Sequence, residues 1–442
     1  MTDKVDTRSS SSRREFLKTI GAGGAATAAA VASLGGTAQA QAADPVIIGA
    51  PLQMTGGGAA DGIEFKRGLE LAAEEINAIG GILGREVKIV VADTESGGDD
   101  KITSAGQRLI DNDGANALIA GYNFGSQVAL QNVAADASII YMHADTARAH
   151  TELVKADPDK YWGSFMYSPS ELYYGYAFLE FIKSLEQRGE YVPANKKIAL
   201  ITGPLVYSIN IANSIKEKAG EHGYEISLFE TVQAPTTEWG PTLAKIREDQ
   251  PAFIAVTHFF PADQAQFMIQ FLTNPTNSLV YLQYGASLAA FRDIAGDASV
   301  GALYATNIGV LSGEVSKDFT EKYLAKYGEK ASPNGGAQTY EALHLFAQAA
   351  AIAGGVGKAY EDEQNRKIAA RLKASIYRGP TGIIRFDQEA QQAISYPVQT
   401  KDPSLGMAHI FSQIKDKAKN GAIISPFPYE EAKFELPKWI KS

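Results

Sequence analysis

Residues 46–91 read VIIGAPLQMTGGGAADGIEFKRGLELAAEEINAIGGILGREVKIVV, and this stretch decides the fold. Val46-Ile47-Ile48-Gly49-Ala50 is a short apolar run, as expected for a strand buried on both faces of a parallel sheet. A helical period follows, with Phe65, Leu69, Ala72, Ile76 and Ile79 spaced 4-3-4-3 along one face. Asp61 and Glu64 suit the start of this helix as capping residues, and Gly80-Gly81 suits its stop. Val87-Lys88-Ile89-Val90-Val91 is the next strand. Strand, helix and strand in this order make one βαβ crossover.

Outward from this unit the rhythm continues. A helix near Ile102–Ile110 precedes apolar runs at Ala117–Ala120 and Ile139–Met142. A second series starts after Ser168: a helix near Leu172–Leu185, then strands at Lys197–Ile201, Tyr224–Val232, Phe253–Val256, Leu279–Leu282 and Ala302–Ala305, with helices between them. Three helical stretches follow, around 315–327, 337–353 and 363–374, and the chain beyond Ile383 reads as β-structure and loops. Two βαβ series predict an α/β protein of two doubly wound, Rossmann-like lobes. Ligands of such sheets bind beyond the carboxyl ends of the strands. The loops that matter are then Leu52–Gly62, Gly121–Ser126, Met142–Thr146, Thr202–Tyr207, Thr257–Pro261 and Gln283–Ser287.

The chain has 442 residues, of which 45% are hydrophobic and 21% charged, enough for two or three globular domains. Its first forty residues stand apart, with Lys4, Arg8, Arg13, Arg14 and Lys18 against Asp3, Asp6 and Glu15. That segment is net +2 while the whole chain is −9, so the remainder carries about −11. An acidic body argues against nucleic acid or anionic lipid as a partner. Ser12-Arg13-Arg14-Glu15-Phe16-Leu17-Lys18 reads as a twin-arginine export signal, followed by a weakly apolar stretch and a small-x-small site, Ala38-Gln39-Ala40. We therefore expect a signal peptide over 1–42 and a periplasmic product. The sequence contains no cysteine, so neither a disulfide framework nor a lipid anchor at the cleavage site is expected.

The predicted ligand loops carry a recognisable pattern. Thr55-Gly56-Gly57-Gly58-Ala59-Ala60-Asp61-Gly62 and Glu75-Ile76-Asn77-Ala78-Ile79-Gly80-Gly81-Ile82-Leu83-Gly84 resemble the first Gly-rich loop and the helix exit of the Leu/Ile/Val-binding family of periplasmic proteins. Ile294-Ala295-Gly296 and Gly379-Pro380-Thr381-Gly382 match that family in kind and order. The resemblance implies the type I periplasmic solute-binding fold, with a three-strand hinge crossed near 168, 307 and 378. Lobe 1 would then comprise 43–168 and 308–378, and lobe 2 would comprise 169–307 and 379–442. It implies a clamp that closes on a small polar solute (an amino acid, an amide or a small carboxylate) and passes it to an ABC permease in the inner membrane. A monomer without cofactor is expected.

By the same resemblance, the ligand's carboxylate is held at Gly125-Ser126 and at Ala144-Asp145-Thr146, where N–H groups and hydroxyls at strand-to-helix turns supply donors. Tyr207 and Phe259 match ligand-facing aromatics of the second lobe. Two positions depart from the pattern. Tyr284 stands where amino-acid binders carry an acid for the ligand's ammonium, and Asp61 stands where they carry an aromatic. Either Asp61 supplies the missing carboxylate from the opposite side, or it caps its helix and the ligand lacks an ammonium.

No phosphate loop, H-E-x-x-H pair or G-x-S-x-G elbow occurs in the mature chain, and the six histidines lack metal-ligand spacing. His143 and His258 fall in the ligand loops and are each expected to be a polar lining or hydrogen-bonded residue rather than a general base. Asp61, Asp145 and Glu171 are the acids whose approach would build a catalytic pair. A receptor-coupled sensor and a small-amide hydrolase are the alternatives to transport.

Overall fold

Where the sequence alternates apolar run and amphipathic period, the computed structural model, which describes residues 44–123 and 128–441, contains two parallel sheets. The signal-peptide assignment and the Gly125-Ser126 expectation lie outside the described residues. The first sheet holds β1 (Val46–Leu52), β2 (Val87–Asp93), β3 (Ala117–Ile119), β4 (Ile140–His143) and β5 (Ser164–Met166) in the order β2-β1-β3-β4-β5. Ile48 registers with Ile89 on one side and Ala117 on the other, all strands running parallel. The connections are α1 (Ala59–Ala78), α2 (Asp99–Asp111), α3 (Ala129–Asp136) and α4 (Arg148–Ala156).

The stripe on α1 buries Phe65, Leu69, Ala72 and Ile76 against this sheet, as its period requires. Ile79 departs from it and is 87% exposed, because the helix ends at Ala78 and the left-handed Gly80 and Gly81 turn the chain away. The expected capping role of Asp61 and Glu64 is also corrected. Gly58 is the N-cap and no side chain caps it. Asp61 sits inside the first turn and reaches sideways to Tyr122, while Glu64 accepts from Tyr323 and pairs with Arg67. At Gly62 a Cβ would lie 2.0 Å from the Gln53 carbonyl oxygen, so only glycine lets the helix start close on the end of β1.

The second sheet contains β6 (Lys197–Thr202), β7 (Glu225–Thr231), β8 (Phe253–Val256), β9 (Leu279–Gln283) and β10 (Leu303–Thr306), parallel in the order β7-β6-β8-β9-β10. Its helices are α5 (Leu172–Gln187), α6 (Val206–Lys218), α7 (Gly240–Asp249), α8 (Pro261–Phe271) and α9 (Ala289–Ala295). The chain then returns to the first core as α10 (Glu314–Tyr327), α11 (Pro333–Ile352) and α12 (Asp362–Ala374), with Phe319 and Tyr323 packing on Leu71 of α1. A small sheet follows, β11 (Ile376–Gly379), β12 (Gly382–Arg385), β13 (Ser395–Tyr396) and β14 (Met407–Ala408), before β15 (Ile410–Gln413) and β16 (Ala422–Ser425) extend the second sheet antiparallel to β10.

The chain passes between the sheets after β5, after β10 and between β14 and β15. The third passage is at His409, later than the position near 378 that the resemblance implies. Ile384, Phe386 and Met407 keep 382–407 in the first core, and Met166 of β5 bridges to Gln392. The passages are tied together: Tyr174 Oη donates to Asn307 Oδ1 at 2.9 Å, Ser170 N–H to Gln392 Oε1 at 3.1 Å, and Leu311 N–H to Pro380 O at 2.9 Å.

Candidate functional site

The carboxyl ends of both sheets face one cavity of about 510 Å³. Tyr122 and Asn123 follow β3, and Ala144, Asp145 and Thr146 follow β4. From the second lobe come Leu205, Val206 and Tyr207 after β6, Phe259 and Phe260 after β8, Tyr284 after β9 and Ile308 after β10. A doubly wound sheet places ligand loops at this end for the reason that governs its handedness: the crossover helices leave the strand ends open.

Among the candidate residues, Ala144, Thr146, Tyr207, Phe259 and Tyr284 line this cavity. Ala144 contributes no free backbone donor, because its N–H is bonded to Gly121 O at 2.9 Å. Thr146 differs. It holds φ +47°, a conformation costly for a β-branched residue, and among the described residues its hydroxyl has no hydrogen-bond partner. Tyr284 holds φ +48°, so both walls carry a strained, non-glycine residue at the cavity. Strain of this kind persists only where the surroundings over-determine it.

Behind the first wall runs a buried polar chain. Asp145 Oδ1 accepts from Asn123 N–H at 2.9 Å, and Asp145 Oδ2 lies 2.9 Å from His143 Nδ1. His143 Nε2 is 3.0 Å from His150 Nδ1, and His150 Nε2 is 2.8 Å from Ala390 O. Ala390 O can only accept, so His150 donates from Nε2. Burial and the neighbouring His143 hold His150 well below its ordinary range. His150 Nδ1 also lies 3.1 Å from Gln131 Oε1, so His143 and Gln131 both converge on that nitrogen. Asp145 is thus tied to the ring beneath it.

The second wall is aromatic. Tyr207 meets Phe259 edge-on at 5.3 Å between ring centroids, Phe259 meets Phe260 at 5.0 Å, and Tyr174 meets Tyr207 at 6.2 Å. Gln283 Nε2 donates to Tyr207 Oη at 3.0 Å, which orients the ring. At the mouth Val206 is 64% exposed and Leu205 43% exposed, leaving an apolar lip. His258, at the end of β8, is buried and bonds Asp263 Oδ2 through Nε2 at 2.6 Å.

Asp61 is set behind Tyr122, whose hydroxyl donates to its Oδ2 at 2.5 Å. Desolvation raises the Asp61 carboxyl above its usual range, opposed by the Tyr122 bond and reinforced by Glu64. Tyr122 and Tyr284 both line the cavity, from opposite walls. Glu171 accepts from Arg148 N–H at 2.6 Å, Ser170 Oγ at 2.7 Å and Asn210 Nδ2 at 2.8 Å. The three acids Asp61, Asp145 and Glu171 are therefore held by three separate sets of donors. Among the described residues no cluster of His, Asp or Glu is placed to hold a metal ion.

Tyr122, Asn123, Leu205, Val206 and Phe260 lie in loops the sequence marks, without being singled out there. Tyr174 had no such signal, since it belongs to the apolar face of α5 and looks like core.

A sequence profile described as "Periplasmic binding protein" matches residues 45–399. The chain belongs to this periplasmic binding protein family. A crystal structure from Silicibacter pomeroyi, with a provisional assignment to a branched-chain amino acid ABC transporter, is 58% identical and superposes with a TM-score of 0.88, covering 90% of this chain and 100% of that one. The substrate-binding protein LivJ of Streptococcus pneumoniae, solved with isoleucine, shares the fold at 20% identity and a TM-score of 0.67, covering 86% of this chain and 100% of its own. The Leu/Ile/Val-binding protein homolog 2 of Brucella abortus is 26% identical over 223 residues, which is 50% of this chain and 54% of that relative. The match thus spans about half the length of that curated relative. Among the described residues no helix of this periplasmic binding protein is long and apolar enough to cross a membrane.

Proposed function

We propose that this periplasmic binding protein captures a small polar metabolite and delivers it to an ABC permease, catalysing no reaction. The observation that carries this reading is the cavity between strand ends of two lobes, polar on one wall and aromatic on the other. The polar end of the solute sits at Thr146, where a strained backbone presents a hydroxyl that has no partner among the described residues. From the family resemblance alone, Gly125 and Ser126 are proposed as further ligand contacts. Tyr207, Phe259 and Tyr284 cover the solute from the second lobe.

Capture works by lobe closure about the three passages. A solute shifts the open–closed equilibrium only by the contacts it gains in the closed state, so it must touch both walls. The monomeric protein reaches the periplasm through its twin-arginine signal. A dyad of acids for hydrolysis has no support in the site, where each acid is engaged by its own donors.

The test is a thermal-shift screen across amino acids, amides, ureas and aromatic acids. One chemical class should raise the melting temperature in a concentration-dependent way, because a ligand bound only by the folded form stabilises it. The recovered solute should be chemically unchanged. Conversion of the bound compound, or silence across every class, would defeat the reading.

A further inference from the structure

At the first passage between the sheets, one side chain touches both lobes. Glu171 stands between β5 and α5, as the residue just before that helix, and it is fully buried. Its backbone N–H donates to Thr146 O at 2.9 Å, which holds that strained residue, with φ +47°, from behind. Its Oε2 accepts from Arg148 N–H at 2.6 Å, at the start of α4. The residue before α4 is Ala147, whose side chain offers no acceptor, so a carboxylate from a different part of the chain satisfies the helix end. Its charge is favoured there by the helix dipole.

The other oxygen faces the second lobe. Glu171 Oε1 accepts from Asn210 Nδ2 at 2.8 Å. Asn210 lies on α6, three residues beyond the lining Tyr207, and Ile211 and Ile215 seat that helix in the second core. One carboxylate therefore joins a lining turn of the first wall to a lining helix of the second. A rotation that separates α4 from α6 must break one side of this bridge. A buried carboxylate that loses a donor is left partly unpaired, which costs more than losing a neutral hydrogen bond. The bridge thus favours one lobe angle, and the Thr146 turn is built into it.

We infer that Glu171 is an interlobe latch, which holds the Thr146 turn in its strained form only while α4 and α6 are kept together. This rests on the binding reading above and adds a regulation of the same site, since the lobe angle then sets the polar wall. Glu171 is not among the residues lining the cavity. It is a positioning residue that acts through Thr146, Arg148 and Asn210.

The experiment uses the full chain without solute and reads one end of the latch from the other. Asn210→Ala removes a donor on the second lobe only. Hydrogen exchange of the amides over 145–149, on the first lobe, should become about tenfold faster, as expected when a hydrogen bond to a charged group is lost. The sequence contains no cysteine, so Ala60→Cys and Ala289→Cys, exposed residues at the starts of α1 and α9, carry one spin label on each lobe. In Asn210→Ala the ratio of long to short label distances should rise about tenfold as well. Glu171→Gln, whose single acceptor oxygen serves only one of the two helices, should act in the same direction. Asn210 is half-buried, so its variant decides the matter if Glu171→Gln fails to fold. Either readout staying at its wild-type value in Asn210→Ala overturns the inference, because the bond would then hold the turn or the lobes but not couple them. Neither measurement contains a solute, so their failure leaves the binding reading to its own screen.

Discussion

On the first-lobe wall, Asn123, Asp145 and Thr146 stand in front of a buried chain of histidines, whereas the second-lobe wall offers Tyr207, Phe259, Phe260 and Tyr284 with an exposed apolar lip. Both walls are strand-end loops of parallel sheets, so backbone topology does not distinguish them. The difference lies in what backs the lining residues. The polar wall is fixed from behind by bonds that cannot be rearranged singly. The aromatic wall is held by ring packing, which tolerates adjustment. A clamp divided in this way orients the solute with one jaw and covers its surface with the other.

The largest effect should come from breaking the support of the polar wall. His143→Leu removes the ring that contacts both Asp145 Oδ2 and His150 Nδ1. Leaving buried polar groups without their partners costs about 1–3 kcal/mol each, more where a group is charged. Urea denaturation should show a loss of that order. A change below about 1 kcal/mol would mean that the chain does not hold the wall.

The first lobe carries a second buried acid, and its protonation makes stability depend on pH. Glu341 on α11 accepts from Thr381 N–H at 2.5 Å and Thr381 Oγ1 at 2.6 Å, and burial pushes its carboxyl up to about 8. Between its ordinary value of 4.5 and about 8 the folded state holds a proton that the unfolded state has released. Stability from this group is therefore full below 4.5 and lost as pH rises through 8. Wild type should lose on the order of 2–4 kcal/mol over that window relative to Glu341→Gln, which mimics the protonated form. Parallel urea midpoints for the two proteins between pH 5 and pH 9 would refute the assignment.

The walls themselves are compared by two truncations. Phe259→Ala should weaken solute binding by about 2 kcal/mol, as for a buried aromatic anchor. Thr146→Ala should cost about 1–2 kcal/mol, the range for one hydrogen bond to a charged group. Calorimetry with solutes of varied side chain sharpens the contrast. The Phe259 penalty should scale with side-chain size, and the Thr146 penalty should not. Equal scaling would erase the division between an orienting and a covering jaw.

Much of this arrangement was legible in the sequence. The βαβ rhythm gave both sheets, and the strand-end rule marked the loops that line the cavity. What was not legible depends on long-range contact. Tyr174 has the spacing of a core residue in α5, and only folding brings it to the cleft. The third passage at His409 depends on β12 and β14 pairing with each other beside the first core, a choice made over more than twenty residues of separation. The histidine chain joins His143 to His150 and to Ala390, which no local pattern connects. The exchange of acid and aromatic at Asp61 and Tyr284 was visible, but the Tyr122 hydroxyl that engages Asp61 was not.

The smallest effect should come from Ile79, where sequence pattern and structure disagree most directly. Its place in the 4-3-4-3 stripe marks it as core, so a charged replacement should be as damaging there as at Ile76. In the fold it is the residue after α1, 87% exposed, beyond the last helical turn. Its N–H still bonds Ile76 O at 3.3 Å, a backbone contact that does not depend on the side chain. Ile79→Lys should therefore shift stability by no more than about 0.5 kcal/mol, as for surface sites, while Ile76→Lys should unfold the lobe. Solute affinity should be unchanged in Ile79→Lys, because neither wall touches this turn. A loss above about 1 kcal/mol would show that the stripe extends past Ala78 and that the glycine pair ends the helix later than the structure places it.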